Sequence, residues 1–294
     1  MIKYDSIQEL VDKAMASNKN ISELVINQQA EELEKSTDDL YKIMLNSLEV
    51  MKQSVAEGLN PDLKSASGMS GGSAFKMKQY VDSGKSLLGN AFGMSLARAL
   101  AVAELNSCMG RIVAAPTAGA CGILPAALFT MAEEKNIEEE KIVMALFTAS
   151  AIGIVIAHNA SISGAEGGCQ AECGSASAMA AGALVELAGG TPEMVAHACA
   201  IALKNILGLV CDPVAGLVEV PCNKRNAAGV ANAFVAAEMV LAGIESTIPC
   251  DEVILAMKKV GDLMSYSLKE TAEGGLAATP TAKRICKRIY GKES

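Results

Sequence analysis

From residue 87 onward the sequence is a series of alanine- and leucine-rich segments, each ended by glycine or proline. Apolar residues make up 51% of the chain, but aromatic residues only 3%, and tryptophan is absent. Small apolar side chains let helices approach one another closely, whereas a β-sandwich needs aromatic and β-branched runs. The pattern therefore predicts an all-α fold of many packed helices, with glycine- and proline-rich loops between them.

Apolar periodicity and the glycine and proline breaks predict eight helices in this part of the chain. They span residues 87–105, 125–135, 138–157, 175–188, 192–207, 226–242, 251–268 and 280–290. Two of these starts carry clear signals, Thr191-Pro192 and Thr279-Pro280. Threonine caps the first turn of a helix, and proline fits its first position, so both pairs predict a helix start.

The N-terminal part is more polar. Apolar positions at three- and four-residue steps predict one long amphipathic helix through Glu57, which Gly58 and Pro61 then end. We therefore expect residues 1–60 to form an N-terminal helical extension and residues 61–294 to form a single helical domain.

The overall charge and the apolar runs exclude some classes of protein. A formal net charge of −8 argues against binding to nucleic acid, because phosphates attract basic surfaces. The first ten residues lack the apolar core of a secretion signal. The uncharged run Ile142 to Ala157 is shorter than the roughly 20 residues that a spanning helix needs. We expect a cytoplasmic protein without a membrane segment, in which this run is a buried helix.

Three of the nine cysteines stand out, because each lies next to glycine or proline: Cys169, Cys211 and Cys222. Their spacing matches no zinc finger or ribbon, and an odd count without an export signal argues against disulfides. A rigid, irregular backbone suits a metal centre, since it holds thiolates in fixed directions. The residues alone slightly favour reduced cysteines buried in the core, since cysteine is among the most buried residue types, and they leave the metal centre open as the alternative. Cys199, inside an apolar helical segment, is predicted to be a core residue.

Four longer segments make the sequence recognisable. They read APTAGACGILPA (residues 115 to 126), NASISGAEGGCQAE (159 to 172), LGLVCDPVAGLVEVPCNKRNA (207 to 227) and KETAEGGLAATPTAKRI (269 to 285). Together they resemble the alpha chain of bacterial iron–sulfur L-serine dehydratase, over roughly residues 65 to 285. The resemblance implies a lyase of amino-acid degradation that converts L-serine to pyruvate and ammonia without pyridoxal phosphate.

The resemblance also implies a cofactor and a partner. In the family three cysteines hold a [4Fe–4S] cluster, and the matching positions are Cys169, Cys211 and Cys222. One iron then has no protein ligand and acts as a Lewis acid on L-serine. The family's S-S-H-T segment, which carries the proposed histidine base, is absent here, so we expect a separate beta subunit to supply the base. The chain ends GKES and Cys286 is out of register, so we expect no cysteine of its tail to cap the free iron.

Six further residues are candidates for contacting the substrate, because they lie in the matching segments near the cysteines. They are Thr117, Gly119, Asn159, Ser161, Ser163 and Arg225. The polar groups of residues 159–163 suit turn and cap hydrogen bonds equally well. Arg225 either clamps a carboxylate or pairs with an acid such as Glu219.

Other readings of the chain stay open as alternatives. Lys76, in an S-A-F-K segment, weakly resembles the Schiff-base lysine of pyridoxal-phosphate dehydratases, but the strands of that fold are missing. His197 falls on an apolar helix face and is predicted to be a satisfied core residue, and His158 is not expected to be the base. An L-cysteine desulfidase-like cluster enzyme and a non-catalytic iron–sulfur or partner-binding subunit are the alternative functions.

Overall fold

The computed structural model describes residues 4–291 and is all-α, as the sequence predicts. Within these residues the only β-type pairing is an isolated bridge between Cys211 and Lys269. The α-helices are α1 (Ile7–Ser17), α2 (Ile21–Glu32), α3 (Thr37–Gly58), α4 (Ser73–Asp82), α5 (Asn90–Ser107), α6 (Ile123–Lys135), α7 (Glu139–Asn159), α8 (Gly164–Gly167), α9 (Cys169–Leu187), α10 (Pro192–Lys204), α11 (Cys222–Leu241), α12 (Cys250–Leu263) and α13 (Pro280–Tyr290).

Helix α9 is buried along nearly its whole length and packs against α6, α7, α10 and α11. Its small residues allow this close packing. A Cβ atom added at Gly182 would lie 2.4 Å from Cδ1 of Ile152 on α7, so any larger residue there would force Ile152 to move. The low aromatic content of the sequence follows from this architecture, because tightly spaced helices leave little room for rings.

The N-terminal region departs from the single long helix that we predicted. Helix α2 ends at Glu32 and α3 begins at Thr37, where the Ser36 hydroxyl accepts a hydrogen bond from the Asp39 backbone N–H at 3.1 Å. Serine favours this capping position and interrupts the apolar periodicity. Helices α1 to α3 bury side chains in the same hydrophobic cluster as the later helices. The domain boundary at residue 60 stays a prediction.

Helix α7 contains the long uncharged run. It is long and apolar enough to cross a membrane by length and composition, but 67% of its most apolar window is buried inside the protein. It is the buried helix that the sequence predicts.

The capped helix starts are confirmed, whereas several other starts move, those of α9 and α11 the furthest. The Thr191 and Thr279 hydroxyls accept hydrogen bonds from the backbone of the first turns of α10 and α13. Helices α9 and α11 begin six and four residues earlier than predicted, at Cys169 and Cys222. Both cysteines therefore start helices rather than lying in loops.

The glycine-bearing loop before α4 contacts the start of α11. In this loop the Ser65 hydroxyl donates to the buried carboxylate of Glu219 at 2.6 Å. The amide of Asn223 donates to Ser70 Oγ at 2.9 Å. The loop thus holds the chain that leads into Cys222 and has a structural role there.

Candidate functional site

Four buried cysteines contribute to one region of the protein. Cys169 is the first residue of α9, Cys173 lies one turn later, and Cys222 is the first residue of α11. Cys211 lies in the extended segment that precedes α11. Their exposed fractions are only 2% to 7%, and the Sγ atoms of Cys169 and Cys173 lie 3.4 Å apart. The three cysteines predicted from the sequence are therefore joined by a fourth.

The isolated bridge holds the backbone of Cys211. Its N–H donates to the Leu268 carbonyl at 2.9 Å, and its carbonyl accepts from the Glu270 N–H at 2.8 Å. Glu270 has a φ of 63°, a left-handed conformation that is uncommon for a residue other than glycine. Strained backbone of this kind concentrates at functional sites.

Gly164 and Gly168 avoid steric clashes next to Cys211 and Cys169, respectively. A Cβ atom at Gly164 would lie 2.9 Å from the Cys211 Sγ atom. Gly168, directly before Cys169, has a φ of 76°, and a Cβ atom there would lie 2.6 Å from Met264 Sδ. The Gly167-Gly168 pair therefore lets α9 begin at the cysteine.

The thiols influence one another electrostatically. Burial raises the pKa of Cys222 to about 12, and the charges of Cys169 and Glu172 add to the effect. Burial also raises the pKa of Cys211, again with a contribution from Cys169 and Cys222. The hydrogen bond from Cys173 lowers the pKa of Cys169. Neighbouring buried thiols can all lose their protons only if a positive charge compensates the thiolates. A bound metal supplies that charge and deprotonates the thiols that ligate it.

Glu172 is the carboxylate nearest to this region on α9. It accepts a hydrogen bond from the Thr117 hydroxyl at 2.6 Å, and a Cβ atom at Gly119 would lie 2.7 Å from its Oε1 atom. Burial raises the pKa of Glu172, against the opposing effect of the Thr117 hydrogen bond. The predicted residues Thr117 and Gly119 thus meet at a carboxylate that the sequence reasoning did not include.

Arg225 forms an ion pair near the cysteines. Its Nη2 donates to Asp212 Oδ1 and its Nη1 donates to the Val210 carbonyl, both at 2.8 Å. Burial opposes its charge, but Cys169 and Asp212 favour it and leave its pKa raised. The acid partner is Asp212, next to Cys211, rather than Glu219, because Ser65 and the loop before α4 engage Glu219.

The three polar residues ahead of Cys169 form hydrogen bonds within the protein. The Asn159 amide donates to the Val155 carbonyl on α7 and to the carbonyl of Asp5, a residue far away in the sequence. The Ser161 hydroxyl donates to Glu166 at 2.7 Å and accepts from the Ser163 N–H at 3.0 Å, and both of these contacts are local. Ser161 also lines a cavity of about 440 Å³ whose lining includes none of the cysteines.

Three residues of this region, Cys173, Asp212 and Glu172, were not among the predicted site residues, although their positions in the sequence gave some indication. Cys173 follows Cys169 by four positions, and on a helix this spacing places both thiols on one face. The signal became readable only with α9 beginning at Cys169. Asp212 and Glu172 each lie within three residues of a favoured cysteine, but nothing in their spacing indicates their partners.

The potential donor atoms of this region are thiols from separate segments of the chain. Within residues 4–291, no group of three His, Cys, Asp or Glu side chains is arranged to hold one metal ion. Cys169, Cys211 and Cys222 come from separate segments yet lie within electrostatic reach of one another. Buried thiols in this arrangement are the ligand type of an iron–sulfur cluster.

The fold and the site together define an all-helical protein with a buried, cysteine-rich centre. The chain belongs to the serine dehydratase alpha chain family, whose model matches residues 16–277. It is 52% identical over 288 residues to the probable L-serine dehydratase alpha chain of Bacillus subtilis, covering 98% of this chain and 96% of that one. It is 43% identical to the L-serine dehydratase alpha chain of Peptoniphilus asaccharolyticus, covering 98% and 99% of the two chains.

A third relative has a different length. The L-serine dehydratase of Streptomyces coelicolor is 50% identical over 181 residues, which are 61% of this chain but only 40% of that protein. That relative therefore carries a large additional region outside the matching part.

Proposed function

We propose that this chain is the alpha subunit of a two-subunit L-serine dehydratase, which converts L-serine to pyruvate and ammonia. It uses a [4Fe–4S] cluster held by Cys169, Cys211 and Cys222, and a separate beta subunit completes the active site. The convergence of these three cysteines in one buried region carries the proposal. The family membership and the word "alpha" in the names of the full-length relatives support it.

The helix starts at two of the cysteines suit an anionic centre. Cys169 and Cys222 are the first residues of α9 and α11, where the unpaired backbone N–H groups and the helix dipole favour negative charge. Thiolates of a cluster are therefore stabilised at both positions. The positive charge of Arg225 acts in the same direction on Cys169.

When bound, the cluster supplies a Lewis-acidic iron that makes the hydroxyl of serine a better leaving group. The chain's own residues hold the surroundings fixed. Thr117 orients Glu172, whose raised pKa makes it the carboxyl of this region best able to hold a proton. Arg225 is already engaged by Asp212, so we assign it to fixing the segment before Cys211 rather than to binding serine. The base that removes the Cα proton is expected on the beta subunit.

A pyridoxal-phosphate mechanism has little support in this fold. Lys76 lies exposed on α4, and a Schiff-base lysine is normally held in a pocket with its cofactor. His197 is half-buried, and its Nδ1 accepts a hydrogen bond from the Ser246 N–H at 3.2 Å. His158 is exposed at the end of α7.

The test is to co-express the chain with its beta subunit without oxygen, and to measure bound iron and pyruvate formation from L-serine. We expect iron-dependent pyruvate formation that added pyridoxal phosphate does not replace. Full activity in iron-free protein given pyridoxal phosphate would refute the proposal. Turnover of L-cysteine exceeding that of L-serine would favour a desulfidase, and bound iron without either activity would favour a non-catalytic subunit.

The ligand assignment has its own test. Cys169→Ser, Cys211→Ser and Cys222→Ser should each lower bound iron sharply. Cys199→Ser is the matched control, because Cys199 is equally buried but donates to the Ala178 carbonyl within the helical core. Equal iron loss in the control and in the three variants would contradict the assignment.

A further inference from the structure

Cys173 is the buried cysteine that the proposed function does not use. It is 2% exposed on α9, and its Sγ atom lies 3.4 Å from that of Cys169. In the part of the chain that the structure describes, this is the one hydrogen bond recorded for its thiol. The proposed function gives no role to this buried thiol, although it contacts a proposed cluster ligand.

The helix geometry fixes the direction of this contact. Side chains on a helix lean toward its N-terminus, so a residue lies over the one four positions earlier. Cys173 therefore lies against Cys169 from the C-terminal side. Cys169 is the first residue of α9. The backbone N–H of the next residue, Gln170, donates to the Leu209 carbonyl at 2.9 Å and so fixes the start of the helix.

The proton can occupy only one position once Cys169 ligates a metal. A ligating cysteine is a thiolate and has no proton to donate, whereas a free buried thiol keeps its proton. Without a metal, the Cys169 thiol donates to Cys173 Sγ across 3.4 Å. Once Cys169 ligates a metal as a thiolate, only Cys173 has a proton to donate, so the same contact becomes an S–H···S hydrogen bond from Cys173 to Cys169. Hydrogen bonds to the sulfurs of an iron–sulfur cluster are among the factors that set its reduction potential.

We propose that Cys173 is a positioning residue that donates a hydrogen bond to the ligand sulfur of Cys169 and thereby raises the reduction potential of the cluster. The inference rests on the proposed function, because it requires the cluster. A donor on this sulfur withdraws electron density and makes loss of an electron from the cluster harder. The hydrogen bond therefore slows oxidation of a cluster that must keep one iron free of protein ligands.

The experiment compares Cys173→Ala and Cys173→Ser in the complex of both subunits, reconstituted without oxygen. Bound iron is measured first, then the midpoint potential of the cluster and the half-life of its visible absorbance in air. We expect wild-type iron content in both variants. Cys173→Ala should shift the potential to a more negative value and shorten the half-life, whereas serine, which keeps a donor, should restore both toward wild type.

Matched controls separate this inference from the function on which it rests. Cys199→Ala removes another buried thiol of the helical core and should leave the potential unchanged. Absence of a cluster from the wild-type complex would defeat the proposed function itself. A wild-type potential in Cys173→Ala, or an iron loss equal to that of Cys169→Ser, would overturn this inference without contradicting the proposed function of the wild-type complex.

Discussion

The ion pair between Arg225 and Asp212 offers a direct test of how the site is held together. Its side chains are only 15% and 4% exposed, and Asp212 accepts a second hydrogen bond from the Leu276 N–H at 2.7 Å. Asp212→Asn keeps the shape of the side chain but removes its charge. The amide can satisfy Arg225 or the Leu276 N–H through its oxygen, but its NH₂ group then faces the other donor.

The expected cost follows from the burial of the pair. Removing one charge of a buried pair costs about 3–5 kcal/mol, and the residual exposure of Arg225 places the cost near the lower end, about 3 kcal/mol. At roughly 2 °C per kcal/mol for a chain of this size, the midpoint of thermal unfolding should fall by about 6 °C. Urea unfolding followed by circular dichroism measures the free-energy change, and the thermal midpoint checks it.

An exposed pair on α12 supplies the control. Lys258 and Asp262 are 48% and 61% exposed, so Asp262→Asn makes the same chemical change where solvent screens the charge. We expect a cost of about 0.5 kcal/mol or less there. Equal losses of stability in the two variants would refute the argument that burial makes the Arg225–Asp212 pair important.

The remaining predictions concern stability. Gly119→Ala places a Cβ atom 2.7 Å from Glu172 Oε1 and should cost about 1–3 kcal/mol in urea unfolding. Gly174→Ala is its control, because the nearest atom would lie at 3.5 Å in a helix interior, where alanine should gain about 0.5–1 kcal/mol; a loss in both would contradict the steric reasoning. Burial raises the pKa of Glu186, against its hydrogen bonds from Ser22 and Thr148. The stability from this carboxyl is therefore fully present below its unfolded pKa and is lost as pH rises through the folded pKa. Glu186→Gln should flatten this fall between mildly acidic and neutral pH, and an unchanged slope would exclude Glu186 as its source.

The sequence predicted the helices better than the site. The all-α class and the capped starts of α10 and α13 follow from local signals, since composition, threonine caps and proline act within a few residues. The start of α9 was placed too late, because Gly167 and Gly168 indicated a loop, whereas Gly168 directly precedes the helix and adopts a φ of 76°.

Local sequence patterns did not predict the contacts within the site. The role of Arg225 as a substrate contact stays a prediction, and its ion-pair partner Asp212 was not predicted, because several acids lie within reach along the sequence. The pairing of Cys211 with residues 268–270 joins segments nearly sixty positions apart without any strand periodicity to indicate it. Long-range pairings of this kind depend on the whole fold rather than on nearby residues.

The isolated bridge at Cys211 has a consequence for how the site can fail. Helix α9 is buried in the core, whereas Cys211 is tied by two backbone hydrogen bonds to a segment whose residues lie largely at the surface. Proteins open locally in cooperative units, and exposed segments with few buried contacts open at the lowest free energy. Release of residues 268–270 would free one thiol while the helical bundle stays folded. If the proposed centre is bound, its lifetime would depend on this local opening, and the chain could remain globally folded while losing one thiol of the set.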